Sequence, residues 1–280
     1  MNTRKLNRIW LAALALMLAS VACLGDGGTP TVVNPPTNNN TIPVTGKENL
    51  IASTVQIYGL FNRNGSLTPG YVGSGTVISP DGLILTNAHV ADPASIGDVE
   101  SHPDALAVGL VTSEDKPAVF SYLAQVVAID GYLDLAVIRI SSMLDGSSIN
   151  TSNLNLSYVP VGDSDQVHVG DHVNIYGFPA IGGETITYTD GNISGFTSED
   201  GVGDRAWIKT DAAISGGNSG GLAANDAGYI IGVPTQVSSG AGGDITDCRV
   251  IQDTNGDGIL DERDTCIPIG GFINALRPVN

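Results

Sequence analysis

The most informative stretch of this sequence is Gly216-Gly217-Asn218-Ser219-Gly220-Gly221, in which a serine lies among glycines. Two short signals upstream give this serine a chemical meaning. Thr86-Asn87-Ala88-His89-Val90 places a histidine at the end of an apolar run, and Tyr132-Leu133-Asp134-Leu135-Ala136-Val137-Ile138 embeds an aspartate in a strand-like segment. A serine, a histidine and an aspartate are the three parts of a nucleophilic hydrolase, in which a base activates an otherwise unreactive hydroxyl.

Each of these residues has an expected role in such a reaction. Ser219 is the candidate nucleophile, His89 the base that takes its proton and passes it to the leaving amine, and Asp134 the residue that holds the His89 ring. An acid between Leu133 and Leu135 needs a partner, which His89 would supply. The backbone N–H groups of Gly217 and Ser219 are expected to form an oxyanion hole, because the flanking glycines allow a sharp turn there. Catalysis of this kind needs no cofactor.

The composition favours a turn-rich, all-β protein. The 280 residues include 36 glycines, 42% are apolar and 5% are aromatic. Roughly a dozen strands suit two barrels better than one sandwich, and the polar segment 142–156 would connect them. The predicted strands are 52–60, 73–79, 83–86, 119–128, 135–140, 172–176, 185–193, 206–210 and 229–234.

The formal net charge of −17 argues against nucleic acid as a partner. No basic patch is available to neutralise phosphates. The acidity fits a soluble, exported protein with a solvated surface.

The beginning of the sequence predicts export. Basic residues precede the apolar segment 9–22, which is short for a membrane span, so 1–22 is interpreted as a signal peptide. Ser20-Val21-Ala22 offers small residues for cleavage before Cys23, which resembles a bacterial lipoprotein signal that would lipidate Cys23. Ser20 departs from that pattern, where leucine is usual, so plain secretion with Cys23 near the mature end is the alternative. Residues 23–47, rich in Gly, Pro, Thr and Asn, would form a tether.

A second site is predicted in the acidic segment 253–264, whose oxygen-bearing residues follow the positions of an EF-hand calcium loop. Gly258 would make the sharp turn, and the absence of flanking helix patterns resembles extracellular calcium repeats. Bound calcium would be a structural ion, and the alternative is an acidic surface turn. The predicted ligands are Asp253, Asn255, Asp257, Ile259 through its carbonyl, Asp261 and Asp264.

The cysteine count fits the same compartment. Setting Cys23 aside for lipidation leaves Cys248 and Cys266, which bracket the acidic segment. A disulfide between them is expected in an oxidising compartment, and two free thiols are the alternative.

Longer motifs around the three reactive residues resemble trypsin-like serine proteases of the HtrA/Deg branch. Gly73-Ser74-Gly75-Thr76-Val77-Ile78 together with 86–90 is similar to the His region of that branch, 134–138 to its Asp region, and 210–221 to its Ser region. The resemblance covers about residues 50–236 and resumes near Gly270. It implies a protease domain over 48–280, in which two antiparallel β-barrels enclose the active site in their cleft. The first barrel, about 48–150, would carry His89 and Asp134. The second, about 157–280, would carry Ser219 and the calcium insert at about 238–268.

The resemblance also implies a substrate pocket. Ala213 lies where trypsin has the acid that selects Lys or Arg, so Ala213 and Ile214 suggest cleavage after small or aliphatic residues. The substrate strand would pair with the backbone of Thr235, Gln236 and Val237. Two departures from the branch are that Leu222 replaces a common proline and that the sequence ends at Asn280 without the PDZ domain that members often carry. Regulation by such a domain is not expected.

Two other kinds of function compete with a serine endopeptidase acting on proteins or peptides. One is a protease-fold binding protein that has lost turnover, although all three reactive residues are present. The other is a calcium-dependent surface module whose metal loop is the functional site.

Overall fold

A computed structural model describes residues 46–97, 102–179, 184–235 and 273–280, and the backbone of two short strands at 248–249 and 267–268. All of them lie in the compact unit Pro43–Asn280. Strands dominate this part of the chain, which confirms the all-β prediction. Its helices are short: α1 Lys47–Ser53, α2 Ala88–Ala91, and 3-10 turns at Pro93–Ile96, Thr151–Asn153 and Ser164–Gln166.

Six strands form a first closed antiparallel barrel, in the order β1-β2-β3-β6-β5-β4. Its interior holds a cluster of buried aliphatic side chains that includes Ile57, Ile84 and Ile138, none of which is exposed. The strands are β1 Thr54–Arg63, β2 Ser66–Val77, β3 Leu83–Thr86, β4 Ala105–Leu110, β5 Val119–Asp130 and β6 Leu135–Met143.

Six further strands form a second closed antiparallel barrel, in the order β10-β11-β14-β9-β8-β7. Its interior is likewise aliphatic, with Val173, Ile208 and Leu276 fully buried. The strands are β7 His172–Gly177, β8 Thr187–Glu199, β9 Gly203–Thr210, β10 Leu222–Ala224, β11 Ile230–Thr235 and β14 Asn274–Pro278. The double barrel predicted for this sequence is therefore present.

Two short strands lie apart from the barrels. β12 Cys248–Arg249 pairs antiparallel with β13 Ile267–Pro268, so that Cys248 is opposite Pro268. The predicted calcium ligands at 253–264, and Cys23, Cys266, Gln236 and Val237, lie outside the described residues.

The predicted strands differ from the observed ones at several places. The segment predicted as strand 52–60 begins only at Thr54, because Ala52 and Ser53 end α1. Strands Ala105–Leu110 and Leu222–Ala224 were not predicted, since alanine and glycine give them a weak strand pattern. Segment 142–156 is not wholly a connection, because β6 extends to Met143 and Leu154 and Leu156 pack against the first barrel's core.

Within the described ranges, no helix is both long and apolar enough to cross a membrane.

Candidate active site

His89 lies in the one-turn helix α2, directly after strand β3. Asn87 is the N-cap residue of this helix and has extended backbone angles, but its side chain makes no cap hydrogen bond. The backbone N–H of His89 instead donates to Asp134 Oδ1 at 2.9 Å. A carboxylate from another loop therefore satisfies a donor that the helix start leaves free.

The same carboxylate also holds the His89 ring. His89 Nδ1 lies 2.8 Å from Asp134 Oδ2, and the two side chains are 26% and 16% exposed. Because a carboxylate only accepts hydrogen bonds, Nδ1 carries the proton, and Nε2 keeps a lone pair. The structure thus brings together the two residues that the sequence predicted to act as base and orienting acid.

Asp134 is not in a strand, which corrects the sequence interpretation. It occupies the last position of the turn before β6 and has a φ of 53°, in the left-handed region that aspartate tolerates better than most residues. Its backbone carbonyl accepts a hydrogen bond of 2.7 Å from Asn87 Nδ2. The left-handed turn thus directs both the carbonyl and the carboxylate of Asp134 to the segment that carries His89.

The loop between strands β9 and β10 consists of two consecutive β-turns, and Ser219 lies in the second. In the first turn the N–H of Asn218 donates to the carbonyl of Ser215 at 3.0 Å, and Gly217 has a φ of 101°. In the second turn the N–H of Gly221 donates to the carbonyl of Asn218 at 2.9 Å.

Two separate requirements, one conformational and one steric, explain the glycines of this loop. Gly217 and Gly220 are the third residues of their turns, and their positive φ values of 101° and 82° are what a type II turn requires there. Gly220 is also confined, because a Cβ on it would lie 2.2 Å from Thr86 Oγ1 and 2.3 Å from the carbonyl oxygen of Ser74. Only glycine meets both conditions.

The two turns leave the backbone N–H groups of Gly217 and Ser219 unused. In a β-turn the internal bond uses only the N–H of the fourth residue, so Ser219, a second residue, and Gly217, a third, keep theirs. No residue that the structure describes accepts a hydrogen bond from either group. These are the two donors that the sequence predicted for an oxyanion hole.

The loop of Ser219 is attached to the first barrel beside His89. Ser74 in β2 donates its backbone N–H to the carbonyl of Ser219 at 2.9 Å. On the other side, Asn87 Nδ2 donates to Thr235 Oγ1 in β11 at 2.9 Å, in addition to its bond to Asp134. These contacts hold the Ser219 loop against strand β2 and Asn87 against strand β11.

The predicted pocket residues are placed only in part. Ala213 is exposed, and its carbonyl accepts a hydrogen bond of 2.7 Å from Thr189 Oγ1. Ile214 is half-buried and packs against the core of the second barrel. Thr235 is 3% exposed and ends β11, where it pairs with Ala275.

Two residues of the site were not singled out from the sequence. Asn87 has no exposed surface and links Asp134 to Thr235. Ser74, also fully buried, binds the Ser219 loop. Both are polar residues inside otherwise apolar or glycine-rich segments, a pattern that indicates a required partner.

A polar cluster away from this site lies on the second barrel. His172 has a carboxylate at each ring nitrogen, with Nε2 at 3.0 Å from Asp190 Oδ2 and Nδ1 at 2.7 Å from Asp226 Oδ1. The hydrogen bonds to Asp190 and then Asp226 raise the pKa of His172 above its usual 6.5. Among the side chains described, no group of three His, Cys, Asp or Glu could hold a metal ion.

Comparison with known proteins identifies the family. The trypsin-like peptidase domain matches residues 73–233, which is more than half of the chain. The chain therefore belongs to the trypsin-like peptidase family.

The similar proteins are named as DegP-like, DegS and HtrA-type proteases. A probable periplasmic serine endoprotease, DegP-like, of Chlamydia pneumoniae is 34% identical over 212 residues, which are 74% of this chain and 38% of the relative. The serine endoprotease DegS of Haemophilus influenzae is 34% identical over 177 residues, 62% of this chain and 44% of the relative. A solved structure of the HtrA-type protease AlgW with a tripeptide is 26% identical with a TM-score of 0.54, over 83% of this chain and 59% of that one. The chain thus spans less than half the length of these two curated relatives.

Proposed function

We propose that this chain hydrolyses peptide bonds in proteins, with Ser219 as nucleophile, His89 as general base and Asp134 as the residue that orients the base. The double contact between Asp134 and His89 carries the proposal. It places the ring proton on Nδ1 and leaves Nε2 able to accept the proton of a serine hydroxyl.

The reaction would proceed in two balanced halves. Ser219 Oγ attacks the scissile carbonyl carbon while its proton moves to His89 Nε2. The tetrahedral intermediate collapses, the C–N bond breaks, and the amine leaves with the proton from His89. Water then attacks the acyl-enzyme, gives its proton to His89, and releases the acid as the Ser219 hydroxyl forms again.

The backbone donors of Gly217 and Ser219 would stabilise the negative oxygen of both tetrahedral intermediates. They belong to two turns that are closed by hydrogen bonds to the carbonyls of Ser215 and Asn218. A donor of this kind typically contributes about 3 kcal/mol to lowering the barrier.

For the substrate, we propose cleavage after small or aliphatic residues. No acid is present at Ala213, and its neighbour Ile214 adds apolar surface. A library of peptides digested by the protein is expected to yield products that end in Val, Ala or Ile. A digest dominated by cleavage after Lys and Arg would overturn this specificity.

For location, we propose an extracytoplasmic enzyme anchored through a lipid on Cys23, with the tether 23–47 between membrane and domain. The name of the DegP-like relative includes the word periplasmic, which supports export. Mass spectrometry of the mature N-terminus distinguishes a lipidated Cys23 from an unmodified N-terminus near it.

We also propose that residues 253–264 bind calcium as a structural ion. The pairing of β12 with β13 holds the two flanking segments side by side, and a disulfide between Cys248 and Cys266 would close the loop further. A disulfide that closes a loop of this size contributes on the order of 3 kcal/mol to the stability of the folded state. An affinity of about 0.1–1 mM is typical of extracellular calcium modules.

The test of the peptidase function is hydrolysis of an unstructured protein such as casein. Ser219→Ala is expected to abolish hydrolysis while the melting temperature stays close to that of the wild type. Ser141→Ala, which removes a hydroxyl with one 3.3 Å bond to a first-barrel carbonyl, is the matched control and should stay active. Binding of casein without hydrolysis by the wild type would favour a catalytically silent binding protein.

A further inference from the structure

Ser74 connects the first barrel to three peptide groups that belong to the second. It is fully buried in strand β2. Its backbone N–H donates to the carbonyl of Ser219 at 2.9 Å, and its hydroxyl donates to the carbonyl of Gly217 at 2.7 Å. The hydroxyl also accepts a hydrogen bond of 2.9 Å from the N–H of Phe178, directly after strand β7.

The direction of these hydrogen bonds is determined by their partners. The N–H of Phe178 can only donate and the carbonyl of Gly217 can only accept, so the Ser74 proton points to Gly217. A hydroxyl has one proton, and it is used here. The Ser74 hydroxyl therefore has no hydrogen-bond donor left for substrate.

These contacts limit how the loop can move. The peptide that joins Gly217 to Asn218 is held at its carbonyl by Ser74 and at its N–H by Ser215. The peptide that joins Ser219 to Gly220 is held at its carbonyl by Ser74 and at its N–H by Pro234.

The peptide between these two is held at one end only. The carbonyl of Asn218 accepts from Gly221, which turns the N–H of Ser219 to the opposite side. No described residue accepts a bond from that N–H. Fixing both neighbouring peptides thus fixes the direction of the Ser219 N–H.

The packing of strand β7 also helps to hold Ser74 and the Ser219 loop in place. A Cβ on Gly177, at the end of β7, would lie 2.7 Å from Asn218 Oδ1 and 3.2 Å from Ser74 Oγ. Strand β7 therefore lies directly against both the hydroxyl and the loop.

We propose that Ser74 is a positioning residue for the oxyanion hole, by which the first barrel sets the direction of the Ser219 N–H in the second barrel's loop. This inference rests on the proposed peptidase function. It makes Ser74 necessary for the rate of acyl transfer but not for substrate binding, because the hydroxyl contacts the loop and not the substrate.

The test compares Ser74→Ala with Thr76→Val. Thr76 lies two residues further along the same strand, is 1% exposed, and its hydroxyl has no hydrogen-bond partner among the described residues. Ser74→Ala is expected to lower kcat for a peptide substrate about 10- to 100-fold with KM little changed, as misplacement of a catalytic donor does. Thr76→Val should leave both constants near those of the wild type. Equal kcat in Ser74→Ala and wild type would overturn the proposal.

A second measurement does not depend on activity. Amide hydrogen exchange is expected to become faster at Asn218 and Gly220 in Ser74→Ala, while Ile138 in the first barrel's core keeps its protection and shows that the fold is intact. Ser74→Cys, which keeps a weak donor, should restore part of both kcat and protection. Unchanged exchange at Asn218 and Gly220 would overturn the positioning function even if the wild type proved to hydrolyse nothing. A wild type without hydrolysis, but with the expected change in exchange, would overturn only the peptidase function.

Discussion

Asp134 accepts two hydrogen bonds from His89, one from the backbone N–H at 2.9 Å and one from ring Nδ1 at 2.8 Å. The first satisfies a free donor at the start of α2, and the second determines which ring nitrogen carries the proton. One carboxylate therefore both stabilises the helix that carries the base and orients the base itself.

Asp134→Asn should separate these two functions. The amide oxygen can still accept from one His89 donor, but the amide NH₂ cannot accept from the other, so the ring is driven to the opposite tautomer. We expect kcat to fall by about 10⁴-fold, the loss typical of this change in a triad. The change is nearly isosteric, so folding should persist. Steady-state kinetics measure the effect, and activity within tenfold of the wild type would contradict the assigned function of Asp134.

Asn87→Asp should destabilise the site more than Asn87→Ala. The amide nitrogen of Asn87 is buried and donates to Asp134 O at 2.7 Å and to Thr235 Oγ1 at 2.9 Å. Alanine leaves the Asp134 carbonyl unpaired, at a cost of about 1–3 kcal/mol of unfolding free energy. In Asn87→Asp, the carboxylate oxygens would in addition repel the backbone oxygen of Asp134 and Oγ1 of Thr235. Denaturant unfolding measures both variants.

Thr235→Val is the control for this second prediction. It removes only one of the two Asn87 contacts and should cost less than either Asn87 variant. An equal stability of Asn87→Asp and wild type would show that the amide does not bridge the two barrels in solution.

Much of the fold was predictable because its signals are local. Glycine and aspartate turns separate short apolar strands, and the number of strands favours two barrels, as does the family that the His, Asp and Ser motifs resemble. The left-handed turn at Asp134 was not predictable, since Leu133 and Leu135 on either side read as strand. Strand β4 was missed because its alanines and glycine carry little strand preference.

The supporting contacts of the site could not be predicted for another reason. The hydrogen bond from Ser74 to Gly217 joins residues 143 positions apart, and the bond from Asn87 to Thr235 joins residues 148 apart. Nothing in either local sequence indicates the partner. Such pairings follow only from how the barrels pack.

His172 should make stability depend on pH. Hydrogen bonds from His172 to Asp190 and then to Asp226 raise the pKa of His172 above 6.5, so the charged ring stabilises the folded state below pH 6.5. This contribution should fade as the pH rises through the folded-state pKa. The melting temperature of the wild type is expected to exceed that of His172→Gln at pH 6, with a smaller difference at pH 9.

Asp226 should make the stability of the folded state depend on pH under acidic conditions. Its hydrogen bond from His172 and then that from Asn174 lower its pKa below 3.8, so its contribution is present above pH 3.8 and lost as the pH falls through the folded-state value. An NMR titration of the Asp226 carboxyl in the wild type and in His172→Gln checks that the hydrogen bond from His172 lowers this pKa. An unchanged midpoint in that variant would contradict it.

Calcium should support both stability and activity if residues 253–264 bind it. Without the ion, Asp253, Asp257, Asp261 and Asp264 would repel one another at close range. Chelator should lower the melting temperature and the rate of peptide hydrolysis, and Asp253→Ala should do so at any calcium concentration. Asp145→Asn, in an exposed turn after β6, is the control. Melting and hydrolysis that respond to neither chelator nor Asp253→Ala would leave the segment an acidic surface turn.

The central claim is that Ser219 is a nucleophile activated by His89. The most direct measurement is mass spectrometry of the protein after treatment with a serine-directed phosphonate. We expect one adduct, on the peptide that contains Ser219. This adduct should be absent in Ser219→Ala and should form far more slowly in His89→Ala. An unlabelled Ser219 in a protein that still hydrolyses peptides, or labelling that is independent of His89, would contradict it.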